Sequence, residues 1–75
     1  MNKKNIENVD KYISLYEKYG SLLTQNQSQV FQLYFYQDLS YAEVAEIMAT
    51  TRAAAYDAVN KACSNLEKYE AKLKI

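Results

Sequence analysis

Histidine and proline are absent from this 75-residue chain, and glycine and cysteine occur once each. A lone cysteine cannot close an intramolecular disulfide, and without histidine the usual zinc ligands are missing, so no cofactor is expected and a reducing compartment suits the chain. With one glycine and no proline, an all-β fold of this size would lack the residues for its tight turns. No apolar run approaches the roughly 20 residues that span a bilayer, and Met1-Asn2-Lys3-Lys4 is not followed by the apolar core of a secretion signal. The expected location is the cytoplasm, without membrane insertion. Nine basic residues face nine acidic ones, so the whole molecule is not a generic nucleic-acid binder unless its charges segregate to one face. No phosphate loop, catalytic triad or paired carboxylates on a polar cleft can be found, and an enzyme is not expected.

What is present points to helices. Hydrophobic residues make up 49% of the chain. A chain this short buries only about 60% of its unfolded surface, which supports one core and one domain, residues 1–75. The organising stretch runs from Ser40 to Val59. Ser40 with Glu43 three residues on forms a capping box that starts a helix. Tyr41, Val44, Ala45 and Met48 then follow at i, i+3, i+4 and i+7, one apolar stripe with a small residue where a crossing helix comes close. Thr51 caps a second helix only a few residues later. A helix of about two turns, a turn of about three residues and a second capped helix are the spacing of a helix-turn-helix, here placed at residues 40–61.

Taken in order, residues 1–5 are polar and expected to fray. A first helix over residues 6–19 is marked by Val9, Tyr12, Ile13, Tyr16 and Tyr19, with Glu7 and Lys11 paired on its wet side. Gly20 is expected to end it in the left-handed conformation. Thr24 with Gln27 makes a second capping box, with Leu23 as a hydrophobic staple, for a helix reaching Tyr36. Val30, Phe31, Leu33, Tyr34, Phe35 and Tyr36 are too many apolar residues for one stripe, so this helix is expected to be central and its aromatics to belong to the core. Gln37 and Asp38 form a short loop. After Thr51 a long last helix carries Ala55, Val59, Ala62, Leu66, Tyr69 and Leu73 at alternate spacings of four and three, a heptad seam. The fold class is therefore all-α: four helices containing a helix-turn-helix, with a long last helix.

The runs YEKYGSLLTQNQ, YFYQDLSYAEVAEIM and TRAAAYDAVNKACSNLEKYEAKL resemble the YlxM family of small bacterial proteins, themselves similar to region four of bacterial sigma factors. The resemblance covers nearly the whole chain after Ile6. It rests on SLLT before the second helix, the entry Gln37 to Ser40, Glu43, Ala45, Arg52 and Tyr56-Asp57. It implies an all-helical cytoplasmic protein with a regulatory role in the signal recognition particle pathway, and signal recognition particle components as partners.

A domain that reads DNA should present polar and basic side chains on the first exposed turns of its second helix. Thr51, Arg52, Tyr56, Asn60 and Lys61 are the candidates, with duplex DNA as the partner and a dimer as the usual form, because one such unit reads few base pairs. Arg52 has a second reading, as partner of Glu43, Glu46 or another acidic group. Tyr56 and Asp57 also have one, as a packed ring and an ion pair to Lys61. Ala53, Ala54 and Ala55 lack hydrogen-bonding reach, Ala49 stands where a glycine is common, and Thr50 where an apolar residue is. Cys63 is read as a core or flank residue rather than a nucleophile. The alternative function is a protein-interaction module in which the helix-turn-helix is only a scaffold. Leu66, Tyr69 and Leu73 extend the seam beyond what the motif needs, and their expected cover is a second copy of the chain, with the first helix as the competing cover.

Overall fold

The computed structural model describes residues 6–73, with side chains from Asn8 onward; the expected fraying of residues 1–5 and the Glu7 side chain lie outside them. Among the described residues every regular element is helical. Helix α1 (Ile6–Tyr19) leads through a 3-10 turn (Gly20–Leu22) to α2 (Gln25–Phe31), which passes directly into a π-helical turn (Gln32–Tyr36). Two further helices, α3 (Tyr41–Ile47) and α4 (Arg52–Leu73), complete the expected four, and the last is the longest at 22 residues.

Helix α1 turns Tyr12, Leu15, Tyr16 and Tyr19 inward, and of these Leu15 is buried and the tyrosines half-buried. Leu15 was absent from the expected stripe and Ile13 stood in it; the spacing 12, 15, 16, 19 puts Leu15 at the centre of the face and Ile13 at its edge. Gly20 ends the helix, but not by a left-handed turn, since no glycine has a positive φ. Its hydrogen is needed for space. A β-carbon at Gly20 would come within 2.8 Å of the Tyr16 ring, and that ring is stacked on Phe31 at 4.5 Å and 8°.

The box at Thr24 is half formed. Thr24 Oγ1 accepts the Gln27 amide at 3.1 Å, while the Gln27 side chain turns away to accept from Asn65 Nδ2 at 3.2 Å. Leu23 goes into the core. The helical run begun by α2 reaches Tyr36 as expected, but only through the wider π-helical turn, with the Gln37 amide bonding the Gln32 carbonyl at 3.1 Å. Through that turn successive rings meet different helices: Tyr34 stacks on Tyr41 of α3, and Phe35 and Tyr36 meet Tyr12 and Tyr16 of α1. Asp38 then reverses the chain at φ 58°, a conformation that Asp tolerates better than most residues.

The capping box at Ser40 is complete: Ser40 N–H donates to Glu43 Oε1 at 2.8 Å and Glu43 N–H to Ser40 Oγ at 3.2 Å. Val44 and Ala45 are buried, and Met48 is half-buried. Helix α3 ends in a Schellman arrangement, in which Thr50 N–H bonds the Ala45 carbonyl at 2.9 Å and Ala49 N–H the Glu46 carbonyl at 3.3 Å. Ala49 occupies its left-handed position with φ 56°. Thr51 then caps α4 by accepting the Ala54 amide at 3.1 Å.

The inner face of α4 buries Ala55, Val59, Ala62, Cys63 and Leu66 against the other helices. Its far end is held by side chains of the same chain. Lys11 Nζ and Tyr12 OH both donate to Glu67 Oε2 at 3.0 Å, and Tyr69 OH donates to the Leu22 carbonyl at 3.3 Å. Leu66 is 0% exposed within the single chain. Of the seam set aside for a second copy, Leu66 is therefore out of a partner's reach, Tyr69 is half-buried and Leu73 is 48% exposed. The cover comes from the same chain: Lys11 and Tyr12 of α1 bond Glu67 on one side of Leu66, and Gln27 of α2 bonds Asn65 on the other.

Candidate nucleic-acid interface

The motif sets the opening turns of α4 on the surface, because its buried face is used up against α2 and α3. All five candidate residues, Thr51, Arg52, Tyr56, Asn60 and Lys61, are exposed. Their chemistry differs. Thr51 Oγ1 is occupied as a cap acceptor, which leaves its hydroxyl able to donate. Arg52 lines a shallow groove with Glu43, Glu46 and Thr50, yet forms no ion pair among the described residues. Glu43 is committed to the Ser40 amide, so the expected alternative of an Arg52–Glu43 or Arg52–Glu46 pair is not realised.

Asp57 takes the expected partner, Lys61, at 3.1 Å. Both side chains are about two-thirds exposed, so the pair is worth only a few tenths of a kcal/mol, but it cancels charge on the outer face. Asn60 Nδ2 donates to the Tyr56 carbonyl of its own helix at 3.0 Å, leaving its amide oxygen outward. Tyr56 is 54% exposed, and its ring meets Tyr41 edge-on at 5.0 Å and 75°. Tyr41 in turn stacks on Tyr34 at 4.5 Å and 11°. Burial raises the Tyr41 phenol above its usual range, and its hydrogen bond with Tyr34 adds to this.

This tyrosine ladder joins the π-helical turn, α3 and α4, and sequence reasoning did not find it. The signal was Tyr41 as first residue of one helix and Tyr56 one turn into the next, positions that meet when the two helices cross. Beside the ladder lies a cleft of about 260 Å³ whose walls include Tyr12, Tyr34, Phe35, Tyr41, Asn60 and Cys63. Burial, with the Glu67 charge adding, pushes the Cys63 thiol up to about 12, which disfavours the thiolate at neutral pH. Among the described residues no group of three or more His, Cys, Asp or Glu could hold a metal ion.

The sequence pattern of the YlxM/p13-like helix-turn-helix proteins, UPF0122, matches residues 6–75. The chain belongs to that family. It is 44% identical over 70 residues to a UPF0122 protein of Clostridium perfringens, covering 93% of this chain and 62% of the relative. A UPF0122 protein of Ureaplasma urealyticum is 43% identical over 63 residues, 84% of this chain and 64% of that protein. One of Caldanaerobacter subterraneus is 44% identical over 59 residues, 79% of this chain and 50% of its own length. The chain thus spans about three fifths of the length of its Clostridium relatives. No solved structure matches it. The elements of this chain with the spacing of a helix-turn-helix motif are α3, the turn at Ala49 and the first turns of α4. No helix among the described residues is long and apolar enough to cross a membrane.

Proposed function

We propose that the protein is a cytoplasmic, regulatory DNA-binding module that meets duplex DNA with the outer face of α4. The observation that carries this reading is Arg52. It stands in the first turn of the second helix of a helix-turn-helix, exposed and with no ion pair among the described residues, where a guanidinium reaches a phosphate or a guanine edge. Thr51 precedes it, Tyr56 and Asn60 follow at i+4 and i+8 on its side of the helix, and Lys61 lies farther along, on the far side of the helix and paired with Asp57. A second copy, if it is needed to read two half-sites, would meet the exposed Leu22 and Leu73 and not Leu66.

Titration against duplex DNA at two salt concentrations tests the reading. Arg52→Ala should weaken binding and lower the slope of log affinity against log salt by about one, the signature of one lost phosphate contact, or relax one base position by about 1–3 kcal/mol. Unchanged binding in the variant would remove Arg52 from the interface. The zero net charge and the exposed Ala53 and Ala54 favour the other reading, a scaffold that binds protein or a ribonucleoprotein. The resemblance to YlxM makes signal recognition particle components its first candidates. Capture of those components by a chain that ignores duplex DNA at low salt would decide for it.

A further inference from the structure

On the outer face of α4 several hydrogen-bonding side chains are partly engaged within the helix itself, and methyl groups lie between them. Ala53 and Ala54 follow Arg52 on the surface, and Tyr56, one turn on, is 54% exposed. The Asp57 carboxylate is held by Lys61 at 3.1 Å, and the Asn60 NH2 group by the Tyr56 carbonyl at 3.0 Å. Toward a major groove the first two turns therefore present the unpaired Arg52, the Asp57 carboxylate already held by Lys61, the methyl groups of Ala53 and Ala54, and the Tyr56 ring with its hydroxyl. Thymine is the one base that shows an apolar group there, its C5 methyl; the other base edges show donors and acceptors. Pressed against Ala53, such a donor or acceptor would lose water and gain nothing. An apolar contact thus favours thymine and disfavours its competitors together.

Ala53 and Tyr56 lie on the same side of the helix, roughly 4.5 Å apart along its axis, close to the roughly 3.4 Å step between bases of one strand. We propose that this face reads the methyl groups of two adjacent thymines, one against Ala53 and the next against the Tyr56 ring, with Arg52 bonded to the flanking phosphate or guanine. The inference rests on the duplex-binding reading above and specifies its substrate class.

The probe is a pool of random-sequence duplexes passed over the full chain at low salt. Retained duplexes should be enriched in adjacent thymines. A copy of an enriched duplex made with uracil in place of thymine lacks only the C5 methyls, and should bind about fourfold more weakly for each contacted methyl. Ala53→Ser, at an exposed position and checked for unchanged helicity, should still bind but lose the thymine–uracil difference at its own base. Equal binding of thymine and uracil copies overturns the methyl readout and leaves duplex binding standing. Retention of no duplex overturns the duplex reading itself, and this inference with it.

Discussion

Ala49 holds the tightest point of the motif at φ 56°, where a β-carbon crowds the following carbonyl and costs about 1–2 kcal/mol. The Schellman bonds from Ala49 and Thr50 hold it there. Ala49→Gly should relieve that crowding by more than glycine loses in the unfolded chain, a net gain of about 1 kcal/mol and a melting temperature raised by roughly 4–8 °C. A thermal melt checks this, and a lowered midpoint would mean that the alanine methyl makes a contact worth more than the strain. Glycine appears instead at position 20, where φ is not positive and the Tyr16 ring occupies the space. Sequence reasoning marked Ala49 as a position where glycine is common, but also gave Gly20 a left-handed turn it does not make, because the ring that crowds Gly20 is set by packing on Phe31 and not by local propensity.

Between elements, the clasp of α1 on α4 is electrostatic at its rim. The hydrogen bond from Lys11, joined by that from Tyr12, holds the Glu67 carboxyl below the usual carboxylate range against some desolvation. A carboxyl depressed in the folded state stabilises it above the unfolded pKa, and that contribution is lost as pH falls through the folded value. Lys11, raised chiefly by its hydrogen bond to Glu67, contributes in the opposite sense and loses its part only as pH rises past the lysine range. Glu67→Gln should therefore lower the melting temperature at neutral pH, with the gap to the parent closing below about pH 4. Melting curves across pH check it, and a gap that persists in acid would assign the loss to packing instead of charge. The caps of α3 and α4 were legible in Ser40, Glu43 and Thr51, since capping is decided by neighbours in the chain. The box at Thr24 was legible only by half, because Asn65, distant in sequence, takes the Gln27 side chain.

At the scale of the whole molecule, α4 is the strut. Its 22 residues are roughly 33 Å long at 1.5 Å per residue, most of the molecule's 37 Å long axis. Each other helix packs on part of it. Leu66, fully buried within the single chain on a turn bordered by α1 and α2, therefore supports the fold of that chain. Leu66→Asp should cost more than the roughly 2–5 kcal/mol of a truncation to alanine, because it also buries a carboxylate, and helical signal and cooperative melting should be lost. Leu73→Asp, at a position already 48% exposed, should leave both intact. Circular dichroism with sedimentation separates the cases: a Leu66→Asp protein that stays folded and only changes its sedimentation would return that residue to an interface between copies.

The sequence by itself determined the all-α class, the bounds of the helices, the tight turn at Ala49 and the inward face of α4, all of which depend on contacts within a few residues or on a repeating period. It also named the exposed candidates of the second helix, since residues off an apolar stripe must face out. Only the tertiary structure decided what covers Leu66, that Arg52 forms no ion pair with Glu43 or Glu46, and that Tyr34, Tyr41 and Tyr56 form one ladder. It alone decided the π-helical turn as well. Periodicity tells which side of a helix is apolar, whereas the partner of that side is chosen by the crossing of helices, and an apolar stripe carries no mark of whether its own chain or another will meet it.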